Sequence, residues 1–260
     1  MCGRNLWKKN SKRQELLPGE AMRLQTLFYL SNPLLPIEYR RGFASLLKEA
    51  IQRGNHSLFE RYYSRLHMLK PFTFSVFFPE LVGSEGEHFR VGSKAILHFS
   101  TCSYELGTSV HNGLLQIREF PIFENKIKFQ NIFLKPRVSI VRDRAQFKTM
   151  APVLVNTKGD ADWYLLPGDK GFEEGLNFSV QEICRTFLGI PGATVEFHPT
   201  AIRRKVIRHY NMYMQGFVGI FELRGQPEVL NLIYQVGLGV RRSQGFGMLE
   251  LVQTTSYEKL

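Results

Sequence analysis

The sequence predicts an α+β fold made of two tandem ferredoxin-like (βαββαβ) halves, and three observations predict it. Apolar residues alternate at period two in several short stretches, as half-buried strands require, and recur at i, i+3, i+4 and i+7 in others, as amphipathic helices require. These patterns follow one another in the order β-α-β-β-α-β over residues 22–135. A similar order recurs less cleanly over residues 149–260, without sequence identity between the halves. The simpler alternative is a single larger α+β domain.

Residues 1–21 read as a basic extension. Arg4, Lys8, Lys9, Lys12 and Arg13 precede the first acid, and Leu17-Pro18-Gly19 breaks the chain. A solvated tail explains this stretch better than an arm reaching for a polyanion. Leu24, Thr26, Phe28 and Leu30 then alternate as a strand. Phe43, Leu46, Leu47, Ala50 and Ile51 form one face of a helix that Gly54 can end. Phe72, Phe74, Val76 and Phe78 mark the second strand and Lys94–Ser100 the third. Leu106, Val110, Leu114 and Ile117 mark the second helix, and Lys126–Leu134 closes the half.

Beyond a junction at Lys135–Lys148, Met150–Val155 and Trp163–Leu166 read as strands. Leu176, Val180, Ile183, Cys184, Phe187 and Leu188 form a helical stripe. Two long strands follow, about Thr194–Val206 and Arg208–Leu223, with a turn between them. Pro227 opens a short helix that turns Val229, Leu230 and Ile233 inward, and Met248–Thr254 is the last strand.

The 260 residues are enough to bury a proper core, and 43% hydrophobic with 22% charged is a globular balance. Lys plus Arg number 34 against 23 Asp plus Glu, a net charge of +11 that points to a polyanionic partner, nucleic acid first and anionic membrane second. No apolar run approaches the ~20 residues of a membrane span, and no signal-peptide core opens the chain. Cys2, Cys102 and Cys184 are far apart and without a CxxC, which excludes a zinc site or disulfide framework and suits a reducing cytoplasm.

One stretch carries most of the functional information. Residues 237–247 read Gly237-Leu238-Gly239-Val240-Arg241-Arg242-Ser243-Gln244-Gly245-Phe246-Gly247. Four glycines in eleven positions suit a backbone that passes very close to something, with successive N–H groups able to converge on a phosphate. Arg241 and Arg242 would add charge for the same anion. The dinucleotide fingerprint fails, because its third glycine falls on Arg242, and no Gly-Lys-Ser/Thr completes a phosphate-binding loop of the Walker kind. A loop needed only for tight packing is the structural alternative.

The pattern G-apolar-G, five residues, G-apolar-G near the C-terminus resembles the hallmark of the CRISPR repeat-processing endoribonucleases of the RAMP superfamily. Asn231–Val236 before it and Met248–Leu251 after it are similar to the helix–loop–strand setting of that loop, as are Lys70–Ser75 and Ala151-Pro152-Val153 elsewhere. The resemblance covers roughly residues 22–254. It implies two ferredoxin-like domains that bind one repeat of precursor CRISPR RNA in a basic groove. It further implies a single metal-independent cut, leaving a 2′,3′-cyclic phosphate and a 5′-hydroxyl. No cofactor and no metal are implied, and Asp160-Ala161-Asp162 reads better as a turn than as a magnesium site. Effector-complex proteins of the same system are further partners the resemblance suggests, the location is the prokaryotic cytoplasm, and both a monomer and a homodimer stay open.

Cutting RNA by its own 2′-hydroxyl needs a base for that hydroxyl, an acid for the leaving 5′-oxygen and a cation for the phosphorane; histidine suits the first two and lysine or arginine the third. In the resembled family a histidine follows the first helix and a lysine precedes the second strand. Lys70 matches that lysine, and His67 is the nearest histidine, closer to Lys70 than the usual family spacing, where Tyr63 or Ser64 stands instead. The family tyrosine of the first helix has no counterpart, since that stretch reads Leu46-Leu47-Lys48; Tyr62 or Tyr63 is the substitute. The candidate catalytic residues are therefore His67, Lys70 and Tyr63. His56 reads as a turn or helix start, and His98 and His111 as structural.

The candidate RNA-binding residues are Arg203, Lys205 and Arg208 in the basic run Arg203–His209, Arg241 and Arg242, and the loop glycines Gly237, Gly239, Gly245 and Gly247. Arg137, Arg142 and Arg144 could line a groove between the halves. A non-catalytic RAMP protein that holds repeat RNA, alone or in an effector complex, is the alternative function. An RRM-like binder lacks its aromatic signature, although Phe72–Phe78 is rich in aromatics.

Overall fold

The computed structural model describes residues 21–64, 68–157, 164–252 and 257–259. In the first half, β1 (Met22–Leu30) and β2 (Leu34–Pro36) lead into α1 (Arg40–Gly54) and α2 (His56–Tyr63). The strands β3 (Phe72–Phe77), β4 (Gly83–Glu85), β5 (His88–Arg90) and β6 (Lys94–Thr101) follow, then α3 (Tyr104–Gln116) and the hairpin of β7 (Glu119–Ile122) and β8 (Asn125–Leu134). In the second half, β9 (Val138–Ile140), β10 (Arg144–Thr149), β11 (Val155–Asn156) and β12 (Tyr164–Leu165) precede α4 (Phe172–Phe187). The long strands β13 (Glu196–His209) and β14 (Met212–Arg224) come next, then α5 (Pro227–Val236), a 3-10 turn at Arg242–Gln244, β15 (Leu249–Leu251) and β16 (Tyr257–Lys259).

The main sheets run β3-β6-β1-β8-β7 and β13-β14-β10-β15, with antiparallel neighbours throughout. Each places its four ferredoxin-like strands in the spatial order second, third, first, fourth, so the expected tandem arrangement is present. Each half has its own core, and the residues of α1 buried in the first are Phe43, Leu46, Leu47, Ala50 and Ile51, the stripe seen in the sequence. On β1 the even-numbered residues face the helices and the odd-numbered ones face the other way, as strand alternation dictates.

That open face is where the second half docks. Arg23, on β1, donates to Leu249 O (2.8 Å), pairs with Glu250 (3.6 Å) and sets its guanidinium 4.1 Å from the Tyr234 ring centre. Thr73 Oγ1, on β3, donates to Phe246 O at 2.8 Å, and Arg40 Nε donates to Gly245 O at 3.2 Å. Among the described residues no helix is long and apolar enough to cross a membrane.

Three features differ from the sequence reading. The first strand of the second sheet is Arg144–Thr149, all but its last residue inside the expected junction, while Met150–Val155 holds only the isolated bridge Val153↔Phe217 and the start of β11. Ala145 and Phe147 alone turn inward there, and the intervening Arg144, Gln146 and Lys148 disguise the strand. The turn of the long hairpin falls at Tyr210-Asn211, not near Ile207, because both residues adopt positive φ (51° and 59°), the geometry that matches the twist of a two-residue hairpin. Finally, α2 occupies a stretch read as a connection. Asn55 caps it, its side chain accepting from Leu58 N at 3.2 Å, and His56 is its first residue.

Candidate functional site

The end of α2 and the approach to β3 bring together Tyr63 and Lys70, seven positions apart in sequence. Lys70 Nζ lies 4.7 Å from the centre of the Tyr63 ring. Helix α1 adds a third group, since Lys48 Nζ lies 5.5 Å from the same ring and 5.5 Å from that of Phe59. Phe59 stacks on Tyr63 at 5.3 Å and His56 stacks on Phe59 at 6.0 Å, an aromatic ladder at helical spacing along α2. Arg65, Leu66 and His67 lie outside the described residues, so the expected histidine has no described position.

Burial raises the Tyr63 hydroxyl well above the ordinary phenol range, so near neutral pH it keeps its proton. Burial, and then the neighbouring charge of Lys48, lower the Lys70 ammonium below the usual lysine value. Lys48 is the member of this cluster that the sequence did not single out. Its signal was present: the buried stripe of α1 leaves position 48 outward, and the Asn55 cap could have shown that α2 brings Tyr63 back against α1.

The glycine-rich loop lies against the start of β3, just beyond Lys70. All four glycines have positive φ (Gly237 86°, Gly239 79°, Gly245 91°, Gly247 70°). The loop was expected to offer successive N–H groups to a phosphate, and several of its N–H groups are bonded within the protein. Gly237 N donates to Ile233 O (2.8 Å), Leu238 N to Gly247 O (2.9 Å), Val240 N to Leu154 O (2.9 Å), Gly245 N to Arg242 O (3.1 Å) and Gly247 N to Pro152 O (2.8 Å). These donors are spent on the protein itself, and the glycines serve close packing.

The two arginines of the loop part company. Arg242, only 5% exposed, points inward and donates to Val236 O (3.3 Å), and burial lowers its pKa to about 10. This corrects the expectation that it offers charge to an anion at the surface, since a guanidinium inside the fold cannot reach a ligand outside it. Arg241 is half-buried, with Nε donating to Tyr164 Oη at 2.6 Å.

On the long hairpin, Arg203, Arg204 and Lys205 are exposed. Strand alternation puts Arg203 and Lys205 on the face that carries Ile207 and His209, and Arg208 on the opposite face with Arg204. Arg208 therefore does not share a face with Arg203 and Lys205. It pairs with Glu87 of the first half instead, while Asn211 N donates to Glu38 Oε1 at 2.8 Å and the Arg41 guanidinium sits 4.8 Å from the Tyr210 ring. Burial pushes Glu38 up, but the Asn211 and Arg41 hydrogen bonds outweigh it and hold its carboxyl below the ordinary value.

The hairpin tip is thus clasped to the first half. His209, 1% exposed, shares a hydrogen bond with Gln244 (3.1 Å), and burial lowers its pKa to about 4, so it is a neutral packing residue. His98 is likewise lowered to about 4, mainly by burial, in keeping with a structural role. Asp160, Ala161 and Asp162 lie outside the described residues; among those described, no group of three or more His, Cys, Asp or Glu is arranged to hold a metal.

Residues 34–132 match the family model for the N-terminal part of CRISPR-associated protein Cas6, and residues 134–251 match that for its C-terminal part. The chain belongs to the Cas6 family. Among its Cas6 relatives is the CRISPR-associated endoribonuclease Cas6 of Pyrococcus furiosus, 24% identical over 227 residues that span 84% of this chain and 83% of that protein. Another is CRISPR-associated endoribonuclease Cas6 1 of Methanocaldococcus jannaschii, 25% identical over 251 residues, 90% of this chain and 94% of that one. The fold is similar to the solved structure described for a Cas6-related gene from Pyrococcus furiosus (TM-score 0.79, 18% identity, 90% of this chain and 100% of that one). It is also similar to a RAMP protein described as binding different RNA substrates (TM-score 0.77, 20% identity, 89% and 100%). Within this Cas6 chain, the loop that carries the family resemblance is the contact that seats the second half on β3.

Proposed function

We propose that this chain is a metal-independent endoribonuclease that cuts precursor CRISPR RNA once within each repeat, producing mature guide RNAs with 2′,3′-cyclic phosphate and 5′-hydroxyl ends. The observation that carries this reading is the convergence of Lys70 and Tyr63 beside the glycine loop, a cationic and hydroxyl-bearing site suited to a phosphodiester. Its relatives are named endoribonucleases over most of their length, which supports the same activity here.

In this mechanism the RNA 2′-oxygen attacks phosphorus and the P–O5′ bond breaks. One proton leaves the 2′-hydroxyl and one arrives at the 5′-oxygen, so total charge is conserved. His67 exchanges a proton with one of those oxygens, Tyr63 donates a hydrogen bond, and Lys70 opposes the charge that builds on the phosphorane. Arg241 lies at the loop edge of the RNA path, whereas Gly237, Gly239, Gly245 and Gly247 act on RNA indirectly, by fixing the backbone against β3.

The deciding assay incubates purified protein with labelled repeat RNA in excess EDTA. A single cut should persist, because ammonium and imidazole groups, not carboxylate-held Mg²⁺, supply the charge and protons. Activity that vanishes with the chelator and returns with Mg²⁺ overturns the mechanism, and RNA bound but never cut favours a non-catalytic holder of the repeat.

The exposed hairpin cations supply affinity without sequence choice. Arg203→Ala with Lys205→Ala should weaken RNA binding and flatten its salt dependence by about one unit of logarithmic slope per lost phosphate contact. Adding Arg208→Ala should not remove a third unit, since Arg208 is paired with Glu87. A slope unchanged in the double variant would put the RNA elsewhere.

A further inference from the structure

Lys48 and Lys70 come from different elements, α1 and the approach to β3, yet both ammonium groups sit within 5.5 Å of the centre of one ring, that of Tyr63. Neither has an acidic partner among the described residues, although carboxylates are close along the helices: Glu49 is held by Arg53 at 2.7 Å and Glu60 lies near His56 at 3.8 Å. Attraction of each cation to the ring face, worth about 0.5–1 kcal/mol at an accessible site, offsets part of their mutual repulsion. What remains is a place with two positive charges, a partly desolvated wall and a hydroxyl that stays protonated. An anion that touches both ammonium groups at once relieves the repulsion that each alone cannot.

We infer that Lys48 and Lys70 form a two-cation seat across Tyr63 for a single phosphate, and that in this chain Lys48 is a second catalytic cation that contacts the scissile phosphate. The inference rests on the endoribonuclease reading and adds to it a residue on the first helix. As the 2′-oxygen bonds to phosphorus, the phosphorane gains one negative charge, and the seat meets it with a second ammonium already in place. When P–O5′ breaks, the added charge leaves with the 5′-oxygen, which takes up a proton, and the seat is left holding the monoanionic cyclic phosphate.

The test measures single-turnover cleavage of repeat RNA from the CRISPR array of the source organism, across pH, for wild type, Lys48→Gln, Lys48→Arg, Lys70→Gln and the Lys48→Gln/Lys70→Gln pair. Affinity for the same RNA carrying a 2′-deoxy nucleotide at the cut is measured alongside. Lys48→Gln should slow the cut by about 10²-fold, the loss usual for one electrostatic contact to a transition state. Lys48→Arg should recover most of the rate. The double variant should be less impaired than the product of the two single effects, because both act on one phosphate.

The pH profile separates this role from simple support of the helix. Lys70 faces Tyr63 from α2 and Lys48 from α1, and the Lys48 charge lowers it. Removing that charge raises Lys70, so the alkaline limb of the rate should move to higher pH in Lys48→Gln and stay in place in Lys48→Arg. Lys48 is exposed, so thermal melting should be unchanged in both. If Lys48→Gln cuts at the wild-type rate with an unmoved limb, the seat is wrong while RNA cleavage stands. If folded wild-type protein leaves the repeat RNA intact, the endoribonuclease reading itself falls.

Discussion

Gly239→Val and Gly247→Val should each destabilise the chain by about 2–6 kcal/mol, or prevent folding outright, combining the cost of a β-branched residue at positive φ with that of overpacking. At Gly239 (φ 79°) a Cβ would stand 2.2 Å from Leu154 O, and at Gly247 (φ 70°) one would stand 2.0 Å from Leu238 O. Both obstacles are backbone and cannot step aside. For a chain of this size the penalty corresponds to a fall in Tm of roughly 5–20 °C. Gly83→Val, where an added Cβ meets nothing within 4 Å, is the control.

Gly245→Val should be milder. It carries the same positive-φ cost (φ 91°), but its Cβ meets side chains, the buried Phe74 ring at 2.9 Å and Arg40 Cδ at 3.3 Å, where those of Gly239 and Gly247 meet backbone. It should lower Tm by less than Gly239→Val or Gly247→Val while loosening the seat of the second half on β3, and RNA affinity should fall with it. Circular-dichroism melts and a filter-binding titration read the two effects separately. Melting within a degree of wild type for Gly239→Val and Gly247→Val would contradict the packing described here. Normal affinity in a folded Gly245→Val protein would remove the loop from RNA binding.

His67→Ala should slow single-turnover cleavage by about 10²–10⁴-fold, the range usual for a lost proton donor or acceptor. Binding should change little, because one imidazole adds little to an interface dominated by phosphate contacts. Lys70→Ala should also slow the cut, through weaker stabilisation of the phosphorane. A wild-type rate in His67→Ala would make the histidine structural and shift the proton transfer to Tyr63 or His56. Since burial keeps the Tyr63 proton in place, Tyr63 could serve then as an acid and not as a base. Unchanged rates in all of the His67, Lys70, Tyr63 and His56 variants would dismiss this active site.

How the chain divides between legible and hidden follows from the range of the interactions. Local patterns were enough for the architecture. The stripe Phe43, Leu46, Leu47, Ala50 and Ile51 lies on α1 as its spacing requires, and the period-two runs around Leu24, Phe72 and Lys94 became β1, β3 and β6. Elements whose signal is short or masked were lost: β10 hides Ala145 and Phe147 between charges, and α2 begins only two residues after α1 ends. The glycine loop, too, announced itself, because four glycines so spaced have few uses.

What that loop faces was another matter. By itself the sequence determined two ferredoxin-like halves, a basic surface, a loop of close approach and Lys70 ahead of β3. Only the tertiary structure decided that the loop N–H groups close on Leu154, Pro152 and Gly247, that Arg242 points inward, that Glu87 takes up Arg208, and that Lys48 joins Lys70 at Tyr63. Periodicity reports which face of an element avoids water, a property of neighbours along the chain. The partner that meets the other face is set by contacts between residues tens to hundreds of positions apart, and local spacing carries no record of them.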